Sequence, residues 1–332
     1  MRLLSIGDQV KPGSYRLHSV FKRVVNFERR GRLVSVVDES IGPGPLNIVL
    51  RGLGRTSVPA SPSFSGNRAN QGSREHLPSR IAGSAKPPPP LQVTTCAVCF
   101  EGRRYHFTSS HRYHSAIELR AANLGQIQHN LSALGEALKE DAPSKSLAFL
   151  LGGGRLKRFR PGFERAYAAQ IQHAVRLVYG GHLLEGIRRL KGCGVGLTPG
   201  GDDFIAGLLI GLHVQQKLRG RDFRPVVDVV FRTARGRNTF SNTFLDLARC
   251  GLLSGRARDL VIALMAETGK AVRHTAARLF AVGATSGADL AAGLFMTLHA
   301  LARAKWVPEQ GEGRRKSPAI MLPSRAARER PS

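Results

Sequence analysis

Two short turns that share the pattern G-x-T-x-G-x-D constrain this chain more than any other feature. The first lies in residues 194–203, which read GVGLTPGGDD, and the second in residues 283–289, which read GATSGAD. Apolar residues at helical spacing follow each turn, so each stands where a helix should begin. Clustered glycines allow unusual backbone angles and let a ligand approach the main chain. We therefore predict two related helix starts that face each other across one site.

The polar groups of these turns are the candidate site residues. Amides at a helix start favour an anion, and aspartates there can cap the helix, orient a polar substrate or hold a cation such as Mg²⁺. Either turn alone could also be purely structural, with aspartate as the cap. The candidate catalytic residues are Asp202, Asp203 and Asp289. The candidate substrate-binding residues of the turns are Gly194, Gly196, Thr198, Gly200, Gly201, Thr285, Ser286 and Gly287.

A third polar segment, residues 237–242, reads RNTFSN and precedes another helical run. Asn238, Thr239 and Ser241 could form a polar rim that binds a small amide or carboxylate. Ser241 could instead be only a helix cap. An arginine here could grip an oxyanion through two hydrogen bonds, or could simply be solvated. The two arginines in question are Arg235 and Arg237.

The first third of the chain has the pattern of β-strands. Runs rich in Val, Phe, Ile and Leu alternate with Gly and Pro breaks, which is typical of strands and turns. These runs are residues 14–26, 31–37, 46–50 and 91–107. Residues 54–90 lack periodicity and are rich in Ser, Pro and Gly, so we predict a disordered insertion. The sequence thus predicts a β-rich N-terminal part over residues 1–112.

From residue 115 onward, apolar residues recur at helical spacing. The first predicted helix begins at residue 115 and buries a face that includes Ile117, Leu124 and Leu131. Further helices are predicted near residues 162–179, 182–190, 203–218, 225–234, 241–248, 257–267, 272–282 and 288–304. Residues 307–332 are predicted to be a disordered basic tail. We therefore predict an α+β protein, with a small antiparallel β-rich part followed by a helical domain over residues 113–306.

The composition limits the classes of binding partner and the cellular compartment that we expect. The net charge of 50 − 23 = +27 would favour an anionic partner. Aromatic residues make up only 6% of the chain, and no basic-aromatic strip stands out, so nucleic acid is an unfavoured alternative. No apolar run has the roughly 20 residues of a membrane helix, and the N-terminus lacks a signal-peptide run. With four cysteines, these features predict a cytoplasmic protein without a membrane segment.

A C-x-x-C pair at Cys96 and Cys99 could hold zinc together with histidines that follow it. Those histidines are His106, His111 and His114. Their spacing fits no common closed zinc pattern, and the segment reads equally well as a strand with buried thiols, which we favour. His18 also lies on strand-like sequence, and we interpret it as a structural residue.

At these motifs the chain resembles a family associated with a subunit of oxamate carbamoyltransferase. The resemblance rests chiefly on residues 194–203 and covers most of the chain except residues 54–90 and the tail. Supporting matches are Ser19-Val-Phe21 with Val25-Asn26, the GPGP run at residues 42–45, Asn238-Thr239 with Ser241, and residues 283–289 with Gly293. The family usually has serine where this chain has Gly200, so a hydroxyl is missing here.

The resemblance implies an enzyme subunit that transfers a carbamoyl group between carbamoyl phosphate and oxamate, with oxalurate as the carbamoylated partner, in allantoin catabolism. It also implies other subunits. In this hypothesis the backbone of residues 194–201 binds the anionic group, Asp202 and Asp203 orient the amide or a metal, and residues 285–289 form the opposite wall.

Three alternatives stay open at this point. The chain could be a non-catalytic scaffold or regulatory subunit, a basic nucleic-acid-associated protein, or a metal-dependent hydrolase that uses Asp202, Asp203 and Asp289.

Overall fold

The computed structural model describes three ranges of the chain: residues 1–53, 89–119 and 124–302. The chain divides into two compact units, Met1–Ser115 and Ala116–Ser332. The first contains the strands and the second the helices, so the fold is α+β as predicted. All but the last two residues of the predicted insertion at 54–90 lie outside the described ranges, and so does the predicted tail at 307–332.

The described part of the first unit forms one nine-stranded sheet. Its strands are β1 Arg2–Gly7, β2 Gly13–Phe21, β3 Val24–Arg29, β4 Arg32–Asp38, β5 Asn47–Arg51, β6 Leu91–Val93, β7 Ala97–Phe100, β8 Arg103–His106 and β9 Arg112–Tyr113. Their order across the sheet is β8-β7-β6-β2-β3-β4-β5-β1-β9. Alternate residues such as Val34, Val36, Ile48 and Leu50 are buried and form the core of this unit.

The sheet differs from the prediction in three details. It is mixed, because β4 pairs with β5 and β1 with β9 in parallel, whereas an antiparallel sheet was predicted. The run at residues 14–26 is the hairpin β2–β3, and the run at 91–107 is divided into β6, β7 and β8. The turn between β7 and β8 places Glu101 and Gly102 at positive φ, a conformation that apolar patterning does not reveal.

The structure shows the contacts and the exposure of the polar residues and cysteines that the sequence indicated in the first unit. Asn26 is buried, donates to Ser19 Oγ at 3.0 Å and accepts from Ser35 Oγ at 2.7 Å, while His18 is exposed. Cys99 lies on β7 as predicted, but its thiol is only half-buried, and Cys96 is exposed in the bend before β7. The prediction of buried thiols was therefore wrong.

The described part of the second unit is mainly helical. Its helices are α1 Leu124–Glu140, α2 Phe163–Tyr179, α3 Leu183–Leu190, α4 Gly200–Arg219, α5 Arg224–Ala234, α6 Thr239–Arg249, α7 Gly255–Ala266, α8 Gly269–Phe280 and α9 Ser286–Ala302. Two 3₁₀ segments, Leu147–Leu151 and Gly153–Arg158, connect α1 to α2. Each helix predicted beyond residue 160 is present. None of the helices in the described ranges is long and apolar enough to cross a membrane.

The first predicted helix begins later than expected. Ala116 pairs with Leu252 in an isolated β-bridge, and Ile117 N donates to Gly251 O at 3.1 Å. Ile117 is buried in this extended segment, so its apolar character reflects the core and not a helical face. A single apolar residue cannot distinguish the two environments, which explains the error.

Helix α4 lies at the centre of the second unit. Almost every residue from its start to Gln215 is buried, including Phe204, Leu208 and Leu212. A helix that is apolar on all sides must be surrounded by others, and α9 is its most extensive neighbour. The two turns with the G-x-T-x-G-x-D pattern lead directly into these two helices.

Candidate functional site

Helices α4 and α9 run parallel and in close contact. Gly207 of α4 lies against the carbonyl oxygen of Leu290, and Gly293 of α9 lies against the carbonyl oxygen of Phe204. One turn further along, Gly211 faces Thr297. A side chain on Gly207 or Gly293 would overlap backbone, so glycine is what permits this approach. Both helix starts therefore lie at the same end of the helix pair.

The two helix starts are related by an internal pseudo-two-fold symmetry. Gly201 N donates to Cys193 O, and Gly287 N donates to Val282 O, in each case just after a preceding helix. Two residues further on, Asp203 N donates to Pro199 O and Asp289 N donates to Thr285 O. The reciprocal contacts of Gly207 and Gly293 continue the same correspondence. Asp203 is thus the structural counterpart of Asp289.

This correspondence corrects the alignment read from the sequence. The pattern G-x-T-x-G-x-D pairs Asp202 with Asp289, whereas the structure pairs Asp203 with Asp289 and Gly201 with Gly287. The first loop is longer, so matching sequence letters shifts the register by one residue. Asp202 has a different environment, because its Oδ1 accepts from Gly192 N at 2.7 Å and holds the turn that follows α3.

Asp203 lies at the contact between the two turns. It is 8% exposed, and its Oδ2 accepts from Thr198 Oγ1 at 3.0 Å. The Ser286 hydroxyl, from the second turn, also hydrogen-bonds with Asp203 and lies 3.1 Å from Thr198 Oγ1. Burial raises the pKa of Asp203 well above its usual range, even though both hydroxyls oppose the shift. Burial therefore favours the neutral form of the Asp203 carboxyl.

Asp289 is the second buried carboxyl of the site and is 1% exposed. Its Oδ1 accepts from Leu147 N at 2.6 Å, which fixes the 3₁₀ segment after α1 against α9. Burial raises the pKa of Asp289 to about 7, although hydrogen bonds from Leu147 N and the Thr285 side chain favour the charged form. A carboxyl with this pKa can take up or release a proton near neutral pH.

Tyr167 of α2 is a neighbour of both carboxyls that the sequence did not indicate. Its hydroxyl and Asp289 Oδ2 lie 3.2 Å and 2.8 Å from the point where a Cβ on Gly200 would stand. Burial raises the pKa of Tyr167, and the charges of Asp289, Cys193 and Asp203 raise it further. Tyr167 is thus a neutral hydroxyl beside two acids. It lies some thirty residues before the first turn, so only tertiary packing could reveal it.

The glycines of the first turn have distinct roles. Gly194 and Gly196 have φ of 122° and 106°, in the region that favours glycine, and both are exposed. Between them, Val195 is 86% exposed. Gly201 packs so closely on the Leu190 carbonyl that a side chain would overlap it.

The amides at the start of α4 are largely occupied. Gly201 N donates to Cys193 O, and the amides of Asp202 and Asp203 both donate to Pro199 O. An anion bound here would therefore depend on other groups, which weakens the predicted role of this backbone as an anion cradle.

The third predicted segment contacts the first turn. Asn238 caps α6 by accepting from Ser241 N at 3.1 Å, and its Nδ2 donates to Leu197 O at 2.8 Å. Ser241 is 4% exposed, and its Oγ has no hydrogen-bond partner in the described part of the chain. Thr239 is half-buried and accepts through its carbonyl from Thr243. Asn238, and not Ser241, is thus the capping residue.

Basic side chains lie beside this contact. Lys191 Nζ is 3.5 Å from Thr233 O, and its Cε lies close to Gly236. Arg235 stacks over Phe231, with its guanidinium 5.8 Å from the ring centre, and both Arg235 and Arg237 are exposed. These three cations define a basic rim, Lys191, Arg235 and Arg237, next to the loop that ends at α4.

The described residues contain no group of three or more His, Cys, Asp or Glu side chains placed to hold a metal ion. Asp202, Asp203 and Asp289 therefore do not form a metal-binding triad. Mg²⁺ would have to take most of its ligands from substrate or water, as it often does in phosphate sites.

Comparison with known proteins finds a similarity for the segment that contains the site. Residues 190–298 match the family model described as "Oxamate carbamoyltransferase subunit AllH". No curated protein and no solved structure matches the chain. The matched segment begins at the end of α3 and ends within α9, so it contains both turns, both buried carboxyls and Asn238. Residues 190–298 are thus similar to the oxamate carbamoyltransferase subunit family, the family that the chain resembles at its motifs.

Proposed function

We propose that this chain contributes an active site for carbamoyl transfer between carbamoyl phosphate and oxamate, at the paired starts of α4 and α9. The observation that carries the proposal is the pair of buried carboxyls Asp203 and Asp289, related by pseudo-symmetry within the segment that matches the family. Buried acids with raised pKa values are typical of functional sites. A purely structural pair of helix caps would have no need to be so deeply buried.

The chemistry that this site would support requires no covalent intermediate. The amide nitrogen of oxamate attacks the carbamoyl carbon, the bond from that carbon to the phosphate oxygen breaks, and phosphate leaves with the electron pair. A proton must leave the attacking nitrogen, and Asp289, with a pKa of about 7, can accept it. Asp203, whose neutral form is favoured by burial, can when protonated donate a hydrogen bond to the carbamoyl oxygen as negative charge develops there.

Substrate charge would be balanced at the basic rim. Carbamoyl phosphate and oxamate are both anions, and the start of α4 offers few unpaired amides. Lys191 precedes the loop of the first turn, and Arg235 and Arg237 precede Asn238, whose side chain donates to Leu197 O in that loop. Arginine binds phosphate and carboxylate through paired hydrogen bonds, so this rim is the proposed anion contact.

The proposal also covers the cellular compartment of the protein and its association with other subunits. The family name designates a subunit, so we propose that the chain works with other subunits in a cytoplasmic enzyme of allantoin breakdown. All four cysteines are free, which is compatible with a reducing compartment.

A turnover assay tests the reaction. The full chain, alone and in complex with the proteins that co-purify with it, is incubated with carbamoyl phosphate labelled in the carbamoyl carbon and with oxamate. Formation of labelled oxalurate that is lost in Asp289→Asn supports the proposal. Labelled oxalurate formed at the same rate by Asp289→Asn would refute the assigned site.

The non-catalytic alternative predicts a different result. A scaffold or regulatory subunit would leave the turnover of the complex unchanged by Asp203→Asn and Asp289→Asn, although both variants would remain in the complex.

A further inference from the structure

We propose that the hydroxyl of Ser241, in the first turn of α6, donates a hydrogen bond to an anionic oxygen of the bound ligand. This inference rests on the proposed function and adds a binding residue on a third helix, beside α4 and α9. Both ligands of the proposed reaction carry such an oxygen, on the phosphoryl group of carbamoyl phosphate and on the carboxylate of oxamate.

The Ser241 hydroxyl is buried, and the protein itself does not use it. The residue is 4% exposed, and its Oγ has no hydrogen-bond partner among the residues that the structure describes. A hydroxyl in a helix can bond the carbonyl one turn earlier, as Thr243 of α6 does with Thr239 O at 2.8 Å. A buried hydroxyl without a protein partner costs free energy of folding, and a ligand oxygen that accepts from it recovers that cost.

The start of α6 lies beside the start of α4. Asn238 Nδ2 donates to Leu197 O in the loop before α4, and near the other end of both helices His213 Nε2 donates to Arg249 O at 2.6 Å. Because start contacts start and end contacts end, α4 and α6 run in the same direction. The starts of α4, α6 and α9 therefore lie at the same end of these three helices.

The Ser241 side chain is directed at this end. Ser241, Leu245 and Ala248 are buried at helical spacing, so they share one face of α6, and the latter two belong to the core of the second unit. Helix α4 is the most extensive neighbour of α6. Since Cα–Cβ bonds in a helix tilt toward its N-terminus, the Ser241 hydroxyl points to the start of α6, on its buried side.

The charge at this helix start favours an anion as the partner of the hydroxyl. The N-terminal end of a helix carries partial positive charge, and Arg235 and Arg237 precede α6 in the chain. The Ser241 amide already donates to Asn238 Oδ1 at 3.1 Å, so the hydroxyl is the donor that this residue can offer to a ligand. Hydrogen bonds to a charged oxygen are stronger than those to a neutral one.

Ser241→Ala tests the inference, because it removes little more than the hydroxyl. Calorimetric titration of the full chain, as wild type and as variant, measures the dissociation constants of carbamoyl phosphate, inorganic phosphate and oxamate. We expect the variant to bind at least one of them about tenfold more weakly. Weaker binding of both phosphate ligands places the phosphoryl group at Ser241. Weaker binding of oxamate alone places its carboxylate there.

Thr275→Val is the matched control, because it also removes a buried hydroxyl. Thr275 lies on α8, and its Oγ1 donates to Ala271 O at 2.9 Å, so its hydroxyl is already used within its own helix. This variant should bind all three ligands as the wild type does.

A stability measurement separates ligand binding from a structural role. Without ligand, Ser241→Ala should unfold at the same urea concentration as wild type or at a higher one, because no protein group satisfies the hydroxyl that it removes. Ser241→Cys keeps a side chain of similar shape with a weaker donor, so it should also bind more weakly.

Two results would overturn the inference and leave the proposed function standing. The first is wild-type affinity of Ser241→Ala and Ser241→Cys for all three ligands. The second is a lower urea midpoint of Ser241→Ala without ligand, since it would show that the hydroxyl has a structural partner. If the wild type binds none of the three ligands, the proposed function fails and this inference fails with it.

Discussion

At the scale of single residues, the site depends on two acids that the protein keeps out of water. Asp203 has two hydroxyl partners, Thr198 and Ser286, whereas Asp289 has a backbone amide and the Thr285 side chain. The sequence identified both acids, but it gave the central role equally to Asp202. Which of two adjacent aspartates faces a site depends on where each lies around the helix axis. Because the two loops differ in length, aligning the two motifs by their letters pairs the wrong aspartate with Asp289.

The stability of the protein should fall as the pH rises from about 4 to about 7, and Asp289 should account for much of that fall. In this window the unfolded chain has released the proton, while folded Asp289, with a pKa raised from 3.8 to about 7, still binds it. The full difference corresponds to about 4 kcal/mol. Above about pH 7 both states are ionised, and the contribution of Asp289 levels off. Urea unfolding of wild type and Asp289→Asn at several pH values measures it.

The control for this experiment is Asp222→Asn. Asp222 is exposed, and hydrogen bonds from Arg224 lower its pKa, so removing it should leave the fall between pH 4 and 7 in place. Parallel pH profiles for wild type and Asp289→Asn would show that Asp289 does not titrate as described.

At the scale of elements, the site is built by loops that are fixed to helix ends. Helical periodicity alone predicted most of the helices of the second unit, because their apolar faces are buried in one shared core. The periodicity predicted that α4 begins at residue 203, whereas the helix begins at Gly200. The difference arises because glycine has a low helix propensity. The contacts of Tyr167 and Leu147 with Asp289 could not be predicted, because they join residues more than one hundred positions apart.

Asn238→Asp should separate the two functions of this side chain. An aspartate retains the oxygen that accepts from Ser241 N, so the cap of α6 and most of the stability should remain. It loses the donor to Leu197 O and sets a carboxylate against that carbonyl. We expect unfolding free energy within about 1 kcal/mol of wild type, together with weaker binding of carbamoyl phosphate.

Asn238→Ala serves as the comparison, because it removes the cap and the link to the loop together. If Asn238→Asp bound carbamoyl phosphate as tightly as wild type, the loop of the first turn would have no part in the site.

Gly207→Ala should force α4 and α9 apart. The added methyl group would overlap the carbonyl oxygen of Leu290, and overpacking of this kind costs about 1–3 kcal/mol, more than the gain in helix propensity. Because the two carboxyls lie on the separated helices, ligand binding should weaken along with stability. Thermal unfolding and oxamate titration measure the two effects.

Gly154→Ala is the control, since no atom lies within 4 Å of its added Cβ. A Gly207→Ala protein as stable as the Gly154→Ala protein would be incompatible with the close parallel contact of α4 and α9.

At the scale of the whole molecule, the family match and the site coincide in one unit. Residues 190–298 contain both carboxyls, and the residues that complete their surroundings, Tyr167 and Leu147, come from earlier in the same unit. The α+β class, the helical second part and the family could all be predicted from the sequence. The parallel strand pairs could not, because turns and long connections decide strand direction and apolar patterning does not report them.

The charge of +27 remains a property of the whole chain and not of the site. The described site is acidic at its base and basic only at its rim, where Lys191, Arg235 and Arg237 lie. A small anion with a neutral amide or carbamoyl end fits that arrangement of charge, with the anionic end at the rim.

Calorimetric titration of oxamate and carbamoyl phosphate into the full chain, as wild type, Asp203→Asn, Asp289→Asn and Asp222→Asn, tests the central claim most directly. The account predicts that Asp222→Asn binds each ligand with the same affinity as wild type. Asp203→Asn and Asp289→Asn should each bind at least one of the two ligands at least tenfold more weakly than wild type. Both of these variants should retain their helical content by circular dichroism. Equal binding by all four proteins would contradict a site at the paired starts of α4 and α9.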